Sequence, residues 1–137
     1  MVLFIHGRRL VAEAERDFSI MYPFLKLQFL QYPINGNGPL QKARATQRLN
    51  EIWHFKSDNS SVDINDQMTV SDLKSTVNVR FGLLSRLFRK SGSAWLEVTL
   101  TQGWTLKQQN DHGRELSEDK LLPGNVMEDY DLHRDPD

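Results

Sequence analysis

The chain has no cysteine. That excludes disulfides, thiolate nucleophiles and cysteine-ligated zinc or iron–sulfur centres, and it suits a reducing compartment. Long apolar runs are missing too, and no stretch nears the ~20 residues that a membrane-spanning helix needs. The apolar run at the N-terminus, Val2-Leu3-Phe4-Ile5, is short and precedes Arg8-Arg9. A signal peptide has the opposite order and a longer run. The expectation is a cytoplasmic protein with no membrane partner.

Motifs for chemistry are equally scarce. The cluster Asn35-Gly36-Asn37-Gly38-Pro39 has turn-forming residues, but neither Rossmann glycine spacing nor a P-loop Lys-Ser/Thr. The four histidines, His6, His54, His112 and His133, include no i,i+3 or i,i+4 pair, so no metal site is expected. No nucleophile elbow or triad-type motif occurs. Paired carboxylates, Glu118-Asp119 and Glu128-Asp129, fall in a segment where the burial that shifts a pKa is not expected. The reading is of a non-enzyme with no catalytic residue and no cofactor.

What is present starts with charge. Residues 1–110 carry 14 Lys+Arg and 9 Asp+Glu, a surplus of five positive charges; residues 111–137 carry 3 and 9, a deficit of six. A basic body thus precedes an acidic tail, which solubilises the protein or shields a basic surface until a partner displaces it. The tail, from about residue 117, has little periodicity, and weak order is expected for it. Its apolar anchors, should it dock, are Leu121-Leu122, Met127, Tyr130 and Leu132.

At 137 residues the chain suits one domain. An offset of 59 residues lays segment 3–29 over segment 62–88. Leu3 and Ile5 fall on Val62 and Ile64. Val11, Ala14, Phe18 and Tyr22 fall on Val70, Leu73, Val77 and Phe81, and Leu25 and Phe29 fall on Leu84 and Phe88. Each copy reads as a period-two strand, a helix with one apolar face, a breaker (Pro23 or Gly82) and a second strand. Thr69, with Asp72 three residues on, marks the start of the second helix. The spacing predicts helices over about 10–22 and 70–81 on one face of a five-stranded antiparallel sheet. The fold class is α+β: a duplicated β-α-β in a ferredoxin-like arrangement, plus an added hairpin strand and a short C-terminal helix. The β-α-β copies span about 2–32 and 61–89, and the whole domain is 1–116. Residues 40–55 suggest a short helix with Leu49, Ile52 and Phe55 inward.

The stretch 95–113 holds two of the three tryptophans. After the turn Ser91-Gly92-Ser93, alternation predicts a strand over 94–101 with Leu96, Val98 and Leu100 buried and Trp95 at least partly exposed. Thr105 and Gln108 spell a capping box for a helix over 105–112 that stops at Gly113, a left-handed C-cap position. His112 then sits exposed at the helix end, and Trp104 staples the start or lies over the sheet edge.

Residues 81–113, with Phe81-Gly82-Leu83, Arg89-Lys90-Ser91-Gly92, Trp95-Leu96-Glu97 and Trp104-Thr105-Leu106, resemble the ending of a family of small uncharacterised bacterial proteins. Family-like members carry an acidic residue where Gly103 stands. The resemblance implies no substrate and no catalytic residue.

The functional expectation is a protein-interaction or structural module, with an unknown protein partner or self-association through a sheet edge. Interaction candidates are Trp95, Trp104, Arg86, Arg89 and Lys90, since large aromatics and arginine are enriched at binding hot spots. The alternative is an RNA or single-stranded nucleic-acid binder using Arg80, Arg86, Arg89, Lys90 and Lys107 for phosphates and Trp95 for stacking. No RNP-type signature accompanies it.

Overall fold

The computed structural model describes residues 1–33, 36–54 and 61–118. The elements run β1 (Val2–Phe4), α1 (Val11–Met21), β2 (Leu25–Gln31), β3 (Gln41–Lys42), a 3-10 turn (Leu49–Glu51), β4 (Ser61–Asp63), α2 (Val70–Phe81), β5 (Leu84–Ser91), β6 (Ala94–Glu97) and α3 (Leu106–Glu118). It is a mixed α+β fold. Helices α1 and α2 form where the apolar spacing places them, and Val11, Ala14 and Phe18 of α1 and Val70, Leu73, Val77 and Phe81 of α2 are buried. Their starts differ. Thr69 Oγ1 accepts the Asp72 N–H, and the Asp72 carboxylate accepts the Thr69 N–H. At α1 the equivalent residue is Leu10, which has no side-chain acceptor, and only the return bond from its N–H to Glu13 is made. Gly82 ends α2 at φ 67°, in the left-handed region where a side chain is strained.

The strands divide into two sheets among the described residues, not the single five-stranded sheet that a ferredoxin-like fold requires. One is the pair β1-β4; the other has the order β3-β2-β5-β6. The reason is edge occupancy. β2 is bonded to β3 on one side and β5 on the other, and β5 to β2 and β6. No edge of either is left for β1 or β4, which pair with each other.

Backbone hydrogen bonds recur between the two halves. The Val11 N–H donates to Gln47 O and the Val70 N–H to Trp104 O; the Leu49 N–H donates to Arg9 O and the Leu106 N–H to Met68 O. Likewise the Ala43 N–H donates to Phe29 O and the Val98 N–H to Leu87 O. The hairpin pairs Leu30↔Lys42 and Gln31↔Gln41 have counterparts in Phe88↔Glu97 and Arg89↔Leu96. In this correspondence the offset is 58 along β2 and β5, not 59, so Leu27 matches Ser85 and Phe29 matches Leu87 rather than Phe88, and the pairs Leu27↔Leu87 and Phe29↔Ser85 exchange. Val2↔Asp63 and Phe4↔Ser61 exchange in the same way. Exchanging the two segments thus carries the β1·β4 and β2·β5 pairings onto themselves.

One core fills the interior. It takes Leu3, Ile5 and Ile64 from the small sheet, Leu25, Leu27, Phe29 and Leu87 from the large one, and the inner faces of both helices. Leu49 and Ile52 join it as expected, while Phe55 lies outside the described residues. α1 packs on β2, α2 on β5, and α3 crosses β5 and the start of β2.

Three expectations for 95–113 need correction. β6 stops at Glu97, so its alternation does not reach Leu100, which is 82% exposed; Val98 is buried and Leu96 half-buried. The helix does not stop at Gly113 but continues to Glu118. Gly113 is buried in its middle, where an added Cβ would meet Phe24 Cβ at 2.9 Å and Phe24 O at 3.2 Å. Glycine is needed there for close approach, not for a cap. His112 accordingly lies within the helix, half-buried, with its ring edge-on to Trp104 at 5.6 Å. The Thr105–Gln108 capping box does form. The acidic tail from residue 119 lies outside the described residues, and its expected weak order with it.

Candidate functional site: a cation-flanked tryptophan on the open sheet face

Residues directly opposite each other on paired strands share a face. Leu25, Leu27, Phe29, Ser85, Leu87 and Arg89 form the face turned to the core, and all are buried. The other parity, Lys26, Gln28, Arg86, Phe88 and Lys90, is only half-buried. β6 extends this outer face, because Trp95 pairs with Lys90 and Glu97 with Phe88.

Trp95 is the centre of the cluster. The Lys26 ammonium stands 4.9 Å from its ring centroid and the Lys90 ammonium 5.7 Å. Lys26 also stands 5.8 Å from the Phe88 ring. A cation over an aromatic face is worth ~0.5–1 kcal/mol at an exposed site. The arrangement holds two flexible lysines over one indole. Beside it, Arg86 Nε lies 3.6 Å from a Glu97 carboxylate oxygen; Glu97 is the lone carboxylate paired into this end of the ladder. The face is therefore aromatic and net positive.

Of the five interaction candidates, three meet here: Trp95, Arg86 and Lys90. Arg89 does not. It points to the core side, is fully buried, and donates from Nη1 to Gln109 Oε1 at 3.1 Å. Gln109 in turn donates to both oxygens of Thr101. A charge adjacent in sequence to Lys90 thus faces the opposite way, as strand alternation demands. Trp104 is also elsewhere, 38% exposed at the start of α3 against His112. Arg80 lies over Phe81 on α2, and Lys107 on α3 is bonded to Asp111. Hydrogen bonding to Asp111 pushes the Lys107 ammonium up, and Lys107, then Arg114, hold the Asp111 carboxyl down. Neither Arg80 nor Lys107 belongs to the sheet face.

Lys26 and Phe88 belong to the cluster and were not among the expected candidates. Both sit on strands at polar-parity positions, but only the β2·β5 register, Lys26↔Phe88, brings them together. Register between strands some sixty residues apart has no local sequence signal.

Elsewhere, burial is the main cause that raises the Glu15 carboxyl, which accepts the Phe29 N–H at 2.8 Å. Burial, then the hydrogen bond to Asp66, also raises the Tyr22 hydroxyl. The Tyr22–Asp66 bond, 2.9 Å, ties the end of α1 to the loop before α2; its environment is structural. Among the described residues no group of three or more His, Asp or Glu is placed to hold a metal, and no helix is long and apolar enough to cross a membrane. No protein-family model, curated protein or solved structure matches the chain.

Proposed function

We propose that the protein is a non-catalytic interaction module that binds an acidic protein segment on the open face of its four-stranded sheet. The observation that carries this is the Lys26–Trp95–Lys90 cluster. An indole between two ammonium groups offers apolar area and positive charge together, the pairing that a carboxylate-bearing peptide with apolar side chains needs. A nucleic-acid reading is less well supported by the same geometry. Base stacking requires an open aromatic face, and both lysines stand over the ring of Trp95. The recurring hydrogen bonds support the further reading that the two halves derive from one duplicated β-α-β-hairpin unit. The likeness of residues 81–113 to small bacterial proteins stays part of this proposal and adds no activity to it.

Fluorescence anisotropy with a labelled poly-glutamate peptide tests the reading. Lys26→Ala with Lys90→Ala, and separately Trp95→Ala, should each weaken binding about tenfold, a loss of roughly 1.4 kcal/mol. Tighter binding of single-stranded oligothymidine than of poly-glutamate, with the same residues involved, would favour the nucleic-acid reading instead.

A further inference from the structure

The open face and the C-terminal segment are complementary in charge. Residues 119–137 hold six Asp+Glu against two Lys+Arg. Within them Glu128-Asp129-Tyr130-Asp131-Leu132 alternates carboxylates with apolar side chains. An extended chain with that period would put Asp129 and Asp131 on one side and Tyr130 and Leu132 on the other.

The helix that precedes this segment packs at the lysine end of the sheet. Gly113 of α3 abuts Phe24, and Asn110 of the same helix accepts the Phe24 N–H at 2.9 Å. Phe24 O in turn accepts the Lys90 N–H at 2.9 Å, and Lys26 is two residues along. α3 therefore crosses the end of the sheet at which Lys26, Lys90 and Trp95 cluster. Glu128 and Leu132 lie 10 and 14 residues beyond Glu118, a reach of up to about 33–46 Å at ~3.3 Å per residue. An eight-residue strand such as β5 is ~27 Å long at the same rise, so reach around the sheet end is ample.

We propose that residues 128–132 are the resident occupant of the Lys26–Trp95–Lys90 patch, so that the chain's own acidic segment competes with an outside acidic partner. The inference rests on the sheet face being the binding surface. Docking sets Asp129 and Asp131 against the two ammonium groups that stand over the indole and leaves Tyr130 and Leu132 on the side of the segment turned away from them. A partner must displace it, and salt weakens it.

Two measurements on the full chain decide it. Zero-length carbodiimide crosslinking at low protein concentration should join Lys26 or Lys90 to Glu128, Asp129 or Asp131 within one molecule, and high salt should suppress the product. The triple variant Glu128→Gln, Asp129→Asn, Asp131→Asn should bind labelled poly-glutamate about five- to tenfold tighter than the parent, about 1–1.4 kcal/mol. Neutralising Asp119, Asp135 and Asp137 instead, an equal change in net charge, should have a clearly smaller effect. Crosslinks from those carboxylates to other lysines overturn the proposal, as does equal gain in the two triple variants. If the parent binds poly-glutamate and the first triple variant gains nothing, the tail is not the occupant but the face remains the binding surface. If neither the parent nor either variant binds, the reading of the face falls as well.

Discussion

The two halves of the protein share a backbone frame and differ in what they hang on it. The first hairpin, Leu30↔Lys42 and Gln31↔Gln41, has the same bonding as Phe88↔Glu97 and Arg89↔Leu96 in the second. Yet the outer face near the first hairpin carries Leu30 and Leu84, while near the second it carries Lys26 and Phe88. On the core side Gln31 of the first half accepts from Gln47. Its counterpart Arg89 is fully buried and reaches Gln109. The hydrogen-bonded frame accounts for the architecture, and the residues that depart from equivalence account for the candidate site. Equivalence is strictest where apolar burial fixes a position and loosest on the solvent face, where most substitutions cost little.

The largest effects should come from the shared core. Phe29 and Leu87 are counterparts and both are fully buried. Phe29→Ala should cost about 3–5 kcal/mol and Leu87→Ala about 2–5 kcal/mol, read from urea midpoints. A near-neutral result for either would break the equivalence of the halves. Next comes a position peculiar to the second half. Gly113→Ala puts a Cβ against Phe24 Cβ, Phe24 O and Arg89 Cγ at 2.9–3.2 Å and should destabilise by about 1–3 kcal/mol. Alanine in a helix interior normally gains ~0.5–1 kcal/mol over glycine, so a stabilised variant would contradict the close approach described here.

Smaller differences sharpen the contrast between the helix starts. Thr69→Ala removes the acceptor for the Asp72 N–H and should cost about 1 kcal/mol. Leu10→Ala at the counterpart position loses no cap, since Leu10 supplies none. Its midpoint shift should come from apolar contact alone, and its helix should not fray further in amide exchange. The smallest effect is a dependence on pH. Glu15 is raised chiefly by burial, so its contribution is full below its unfolded pKa and is lost as pH rises through the folded one. Glu15→Gln keeps an acceptor for the Phe29 N–H without the charge. Its advantage over the parent should be absent at about pH 3 and grow as the pH is raised towards 7. A gap that widens on acidification instead would reverse the assigned cause.

Much of this frame was legible in the sequence, and the reasons are local. Both helices follow from apolar residues three and four apart, and α2 and α3 start at caps that Thr69 with Asp72 and Thr105 with Gln108 announce. Where reading failed, the deciding force was tertiary. β3 has two residues, too few to alternate, so the first hairpin left no mark and the occupied edges of β2 could not be foreseen. Leu100 kept the parity of a buried residue after the strand had already ended. Gly113 looks like a stop signal because its role, contact with Phe24, is set 89 positions away in the chain. The site was half legible for the same reason. Trp95, Arg86 and Lys90 follow from alternation within one hairpin, whereas Lys26 and Phe88 join only through the long-range β2·β5 register.

The central claim is that the end of the outer face bearing Trp95, and not its counterpart, is the binding surface. Lys90 belongs to the first end and Lys42, which pairs with Leu30, to the second. Lys90→Glu and Lys42→Glu make the same change in net charge, so the most direct test is their affinity for labelled poly-glutamate at equal ionic strength. Lys90→Glu should weaken binding about tenfold or more, at least ~1.4 kcal/mol, while Lys42→Glu leaves it within about twofold. Equal loss in both variants would mean that the peptide reads only net charge, and the claim of a defined surface would be wrong.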